Sequence, residues 1–266
     1  DSESWTYGYA FSQELLDEWD WSEHFSPQSD NERYLNYVAD KFGLRRDIQF
    51  NTRVAAAHYR EDRRSWEIVL ADGGRYTTRF LITAIGALSA PTMPNNIPGV
   101  ASFKGQSCHT HNWPREGIDF AGKRVGIIGT GATAVQAIQE IAKTAGRLTV
   151  FQRTPNWCVP QHNRRISKEE MRDIRARYPE ILALCRTTPS CYIHGPDPRA
   201  TFEATPEERA ALWEKRYAEP GFALWQGNFR DTLTDRAANA LASEFIANKI
   251  RSRVHDPVVA EKLIPK

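Results

Sequence analysis

The sequence predicts an α/β fold, and three observations carry that prediction. A short apolar run, RVGIIG from Arg124, leads through the turn GTGATA into the helical pattern AVQAIQEIAKTAG, and a second apolar run, RLTVFQR, follows. That order of strand, turn, helix and strand is a βαβ unit, whose two strands lie parallel. Ahead of it, three strand-like runs separated by turn chemistry predict a small antiparallel β-meander. Beyond Pro160 the pattern turns helical, which adds a helical subdomain.

The elements follow in order. In SPQSDNERYLNYVADKFGL, apolar Tyr34, Leu35, Val38 and Phe42 recur at helical spacing and the pattern closes on Gly43, so a helix stops there. The strand candidates are DIQFNTRVAAAHY, SWEIVLADG and GRYTTRFLITAIG, with Asp72-Gly73-Gly74 as the turn between the second and third. Phe80 to Ile85 is the most apolar part of the third. Between Ala90 and Pro114, four prolines (Pro91, Pro94, Pro98 and Pro114) and no sustained periodicity predict a linker. In the helical part, Ser167 with Glu170, and Thr205 with Glu208 and Pro206, fit capping boxes. Asp256-Pro257 is a further helix start, and TDRAANALASEFIANKIRSRV puts Leu241, Phe245, Ile246 and Ile250 on one face. The division this suggests is 1–89, a linker at 90–122, and 123–266.

The 266 residues are enough for one large domain or two smaller ones. The absence of methionine at Asp1 and the stop at Lys266 lead to the expectation of a piece of something longer. With 41% hydrophobic and 26% charged residues and a net charge of +2, the chain reads as a globular protein with no nucleic-acid or membrane-surface partner. No apolar run of membrane-spanning length and no signal-peptide pattern is present, so the expected location is cytoplasmic. Cys108, Cys158, Cys185 and Cys191 are scattered, which argues for isolated thiols rather than a zinc ribbon or redox dithiol.

The turn at 129–134 is the strongest local signal. Gly129 allows a tight turn, Gly131 lets a pyrophosphate approach the backbone, and small Ala134 lets the helix pack on the strand. The start of the helix supplies N–H groups and a positive dipole end. Thr130, Ala132, Thr133 and Gln136 complete the predicted nucleotide-binding run; a purely structural βαβ turn is the competing reading. At the end of the second strand an acidic residue would mark NAD, but this strand ends in Phe151-Gln152-Arg153-Thr154. Arg153 is suited to a 2′-phosphate and Thr154 adds a hydroxyl, which favours NADP; an ordinary exposed arginine is the alternative.

Ahead of the turn stands FKGQSCHTHNWP, residues 103–114. His109 and His111 are two apart and point to opposite sides of an extended chain, so no metal site is expected. Cys108 beside His109 lacks the geometry of a nucleophile and base. Rings at Phe103 and Trp113, a flexible Gly105 and a stiff Pro114 suit a segment that packs between two units.

Phe103, Gly105, His109, Trp113 and Pro114 spell FxGxxxHxxxWP, and the run continues through DFAGKRVGIIGTGATAVQ to FQRTPNWCVP. In this the chain resembles the Baeyer–Villiger monooxygenases, class B flavoprotein monooxygenases that turn ketones into esters or lactones. The resemblance extends over essentially the whole chain and marks it as a central fragment. It implies a Rossmann-like NADP-binding domain with a helical insertion at 123–266 and part of an FAD-binding domain at 1–89. It implies FAD and NADP as cofactors, O2 and a small ketone as substrates, and a peroxyflavin as the oxidant. Asp1, in DSES, matches the family's aspartate near the flavin, and Asp1 and His109 are the catalytic candidates. Val54, Ala84 and Gly86 match positions that border FAD, with ordinary strand packing the alternative for Val54. The run Ala84 to Ser89 departs from the family's usual turn, and Ala87 there puts the substrate range in question. Two other readings stay open: a flavin monooxygenase that oxidises nitrogen or sulfur, and, for the 266 residues alone, a non-catalytic NADP-binding module.

Overall fold

A computed structural model describes residues 2–86, 88–94 and 96–266. The chain runs α1 (Ser4–Tyr7), α2 (Gln13–Glu18), α3 (Gln28–Lys41), β1 (Val54–Arg60), β2 (Ser65–Leu70), β3 (Arg75–Thr78), β4 (Arg124–Ile128), α4 (Ala132–Ile141) and β5 (Arg147–Phe151). It continues as α5 (Lys168–Ala176), α6 (Tyr178–Thr187), α7 (Pro206–Ala218), α8 (Ala223–Gln226), α9 (Arg236–Arg253) and α10 (Pro257–Leu263). Two compact units result: one runs to Gly43 and resumes at Gln152–Lys266, and the other is Leu44–Phe151. The divisions expected at 89 and 122 both fall inside the second unit.

The first unit is helical and holds two apolar clusters. In one, Trp5, Leu15, Tyr34 and Val38 from the N-terminal helices and Trp21 between α2 and α3 pack with Met171, Tyr178 and Ile181 of α5 and α6. Each such buried side chain contributes about 1.5–3 kcal/mol. Burial also pushes the Tyr178 hydroxyl up to about 12. The other cluster gathers Trp213, Leu224, Phe229, Ala242 and Ile246, with Leu241, Phe245 and Ile250 of the expected α9 face packed against it. Asn228 Oδ1 accepts from both Trp213 Nε1 at 2.9 Å and its neighbour's backbone N–H, Phe229 N, at 2.8 Å, which satisfies the indole inside this core.

The helix starts follow their sequence signals, with one exception. Thr205 and Glu208 form the reciprocal box at α7, and Asp256 caps α10 through the N–H groups of Val258 and Val259. At α5, Ser167 accepts from Glu170 N, but the Glu170 carboxylate does not return to the cap. It is taken instead by Arg164, in two hydrogen bonds of 2.7 Å, and by His24 at 2.9 Å. Stronger charge-assisted partners displace the local one.

In the second unit, β1, β2 and β3 form an antiparallel sheet in sequence order, with Ile68 and Leu70 buried. Gly73, at φ +91°, makes the turn that Asp72 closes by accepting from Gly74 N. The meander is shorter than the sequence suggested at both ends. The first strand begins only at Val54, the candidate's first residue, Asp47, closing the 3-10 turn Leu44–Asp47, and β3 ends at Thr78. Phe80 to Ile85 is irregular and highly exposed, with Ile82 88% exposed. A strand needs backbone partners as well as apolar side chains, and no described strand pairs with this run. β4 and β5 pair in parallel, Arg124 with Arg147 through Ile128 with Phe151, with α4 between them in the chain. Among the described residues no helix is long and apolar enough to cross a membrane.

Candidate functional site

The turn between β4 and α4 has the geometry its glycines suggested. Gly129 sits at φ +104°, where side chains other than glycine are strained, and its N–H donates to Phe151 O at 2.9 Å. This bond ties the turn to the last residue of β5. Gly131 is the N-cap of α4, and an added Cβ there would meet no heavy atom within 4 Å. The backbone beside Gly131 is therefore open to a ligand. The first turn of α4, from Ala132 through Thr133 and Ala134, presents N–H groups that a helix does not itself satisfy. Gln136 lies one turn further along α4. Arg153 and Thr154 follow the end of β5 by two and three residues, both exposed. The donor set of the turn fits a pyrophosphate.

The loop ahead of it is built by short-range constraints. The Phe103 ring covers the backbone of Gly105, where a Cβ would come within 2.7 Å of the ring. His109 is turned onto its own chain: its Nδ1 accepts from His111 N at 3.1 Å and caps the 3-10 turn Thr110–Asn112. His111 and Cys108 are exposed. Among the described residues no group of three or more His, Cys, Asp or Glu side chains is arranged to hold a metal ion. Trp113 packs at 5.9 Å from Phe120.

Residues of the loop and of α4 together line an open cleft of about 310 Å³. Thr110, Trp113 and Phe120 line one side, and Thr133, Ala137 and Ile141 of α4 the other. The tryptophan of the loop thus shares a cleft with the helix that begins at the glycine turn, a relation the sequence motif did not specify.

Among the remaining described candidates, Val54, Ala84 and Gly86 do not line this cleft. Asp1 and Ala87 fall outside the described residues. Val54 opens β1 opposite Leu70 and is 55% exposed. Ala84 and Gly86 lie in the irregular stretch after β3, with Gly86 at φ +72° and nothing within 4 Å of a Cβ built on it.

Sequence reasoning missed a polar network in the first unit. Glu3 is buried, and its Oε1 accepts from His194 Nε2 at 2.8 Å. His24, also buried, meets Glu170, and Asn163 both accepts from Phe25 N and donates to Glu23. Arg164 first, and His24 after it, hold the Glu170 carboxyl below the usual carboxylate range. Partners separated by more than a hundred residues leave no spacing signal to read.

The fold agrees with the comparisons to known proteins. The model of the family described as flavin-binding monooxygenase-like matches residues 12–178. Over its full length the chain is 48% identical to the 2-oxo-Delta(3)-4,5,5-trimethylcyclopentenylacetyl-CoA monooxygenase of Pseudomonas putida, covering 50% of that protein. It is 42% identical to the methyl acetate-forming acetone monooxygenase of Gordonia sp. (strain TY-5), covering 49% of it. Among solved structures, OTEMO in complex with FAD and NADP superposes with a TM-score of 0.95 at 48% identity, over 100% of this chain and 50% of that one. The chain belongs to the flavin-binding monooxygenase-like family. It spans about half the length of the curated relatives it matches.

Proposed function

We propose that the full-length protein is an FAD- and NADPH-dependent Baeyer–Villiger monooxygenase. In the overall reaction a ketone, O2, NADPH and a proton give an ester or lactone, water and NADP⁺. The observation that carries this reading is the cleft lined both by Trp113 of the FxGxxxHxxxWP loop and by α4, the helix that starts at the glycine turn. When bound, NADPH supplies the hydride and FAD the oxygen chemistry.

On this reading the chain's own residues take the following roles. Gly129 to Ala134 and the first turn of α4 hold the pyrophosphate, through open backbone at Gly131 and the helix dipole. Arg153 pairs with the 2′-phosphate, and Thr154 adds a donor. His109 acts by holding the loop in shape through its bond to His111 N, so that Trp113 reaches the cleft. Val54, Ala84 and Gly86 border the flavin, and Asp1 tunes the charge near it. On this reading residues 1–89 are part of the FAD domain, 90–122 join it to the NADP domain, and 123–266 are that domain with its helical insertion. We place the protein in the cytosol, in keeping with four unpaired cysteines.

Product analysis of the full-length protein on a cyclic ketone and a thioether tests the assignment. Lactone formation supports it, while sulfoxide with no lactone would assign the heteroatom-oxidising branch instead. For the 266 residues alone, titration with NADPH and with FAD is expected to show NADPH binding without tight stoichiometric FAD binding, the behaviour of a non-catalytic nucleotide module.

A further inference from the structure

Gln152 is the first residue beyond β5, and its side chain makes a contact that no local rule asks for. Its amide Nε2 donates to the backbone carbonyl of Lys262 at 2.7 Å, across 110 residues of chain. Lys262 lies in the last turn of α10, where a helix has no partners of its own for its carbonyls. The Gln152 amide therefore caps α10 from outside, and the cap joins the residue ahead of Arg153 to a helix end.

That helix is a firm support. Asp256 fixes its start by accepting from Val258 N at 2.8 Å and Val259 N at 3.2 Å. Ala260 is 2% exposed, Ile264 just past the helix is buried, and Glu261 accepts from Arg251 Nε of α9 at 2.7 Å. Arg153 and Thr154 follow Gln152 directly, exposed and outside any helix or strand. Consecutive Cα atoms stand about 3.8 Å apart, so holding Gln152 fixes the point from which the long Arg153 side chain sets out. A guanidinium spends less freedom on each bond to an anion when its origin is already placed.

We propose that Gln152 is a positioning residue for cofactor choice: by fastening itself to Lys262 O at the end of α10, it fixes the segment from which Arg153 reaches the 2′-phosphate of NADPH. The proposal rests on the reading of Arg153 as the partner of that phosphate, but the fastening itself does not.

The test uses the full-length protein with its flavin and compares Gln152→Leu, Arg153→Ala and the double substitution in steady-state kinetics with NADPH and with NADH. Leucine keeps much of the bulk and removes the donor that Lys262 O, which can only accept, requires. In Gln152→Leu the KM for NADPH is expected to rise about fivefold, the worth of one neutral hydrogen bond. For NADH, kcat/KM is expected to stay within about twofold. Because the bond lies near the surface, water takes its place at Lys262 O and the melting temperature is expected to change little. In the Arg153→Ala background, Gln152→Leu is expected to take nothing further from the preference for NADPH, since the two residues act as one unit. Amide hydrogen exchange over residues 152–154 is expected to rise about tenfold in Gln152→Leu. An unchanged KM for NADPH would overturn the proposal, as would an equal loss with NADH or a full additional loss in the double variant. Were Arg153→Ala itself to leave the preference unchanged, the 2′-phosphate reading would fall and with it the role in cofactor choice. Exchange at residues 152–154 would then decide the fastening alone, wild-type exchange removing it and raised exchange upholding it.

Discussion

Gly146 packs directly on the backbone of Gly122: a Cβ at Gly146 would stand 2.6 Å from Gly122 O. The contact lies just before β5, beside the bridge between Ala121 and Ala145 and the bond from Arg147 N to Lys123 O. It sets the register in which β5 meets β4, and hence the position of Phe151 beneath the nucleotide turn. Because the obstructing atom is backbone, Gly146→Ala is expected to destabilise the protein by about 2–3 kcal/mol. A lowered melting temperature together with weakened NADPH binding would bear this out; an unchanged melting temperature would refute it.

Gly131 gives the opposite expectation. Its φ of −69° suits any residue and its surroundings are open, so Gly131→Ala is expected to leave the melting temperature nearly unchanged. The methyl group would nevertheless stand where the pyrophosphate approaches, raising the Kd for NADPH about tenfold. Fluorescence titration with NADPH measures it, and wild-type affinity in the variant would remove the pyrophosphate from this turn.

On the proposed function, Arg153 carries the discrimination between the two nicotinamide cofactors. Loss of its charge-assisted bonds to a 2′-phosphate is worth about 2 kcal/mol, or roughly thirtyfold in the ratio of kcat/KM for NADPH over NADH. That ratio, measured for Arg153→Ala, is expected to collapse through NADPH alone. An unchanged ratio would return Arg153 to the status of a solvated surface arginine.

The Glu170 carboxyl ties stability to pH. Bonds from Arg164 and then His24 hold it below the usual range, so it binds a proton less readily in the folded state than in the unfolded chain. Its contribution is present above the ordinary carboxylate value and is lost as the pH falls through the lower, folded value. Glu170→Gln is therefore expected to lower the unfolding free energy measured with urea at pH 7 by about 1–2 kcal/mol, given that Arg164 is largely exposed. The difference from wild type is expected to close below about pH 4. A gap that persists unchanged in acid would contradict the assignment.

The βαβ unit was legible in the sequence because each of its signals is local: apolar runs for β4 and β5, glycines at 129 and 131, and helical periodicity after them. The caps at Thr205 and Asp256 were legible for the same reason. Glu170 was misread because a capping box is a competition, and its rival partners Arg164 and His24 are not marked by spacing. Phe80 to Ile85 was misread because apolar composition states what a segment prefers to bury and not what pairs with its backbone. At the site, the glycines and the loop were readable one by one, whereas the cleft that Trp113 shares with Ala137 and Ile141 depends on how the chain folds back.

The bare run from Phe80 to Gly86 has a practical consequence. FLITAIG combines β-forming residues with no charge and no proline, and Phe80, Ile82 and Ile85 all face solvent. Such a ribbon is a ready template for intermolecular strand pairing. Produced as these 266 residues alone, the protein is expected to self-associate with rising concentration, in a manner that a lysine at Ile82 suppresses and that light scattering follows directly.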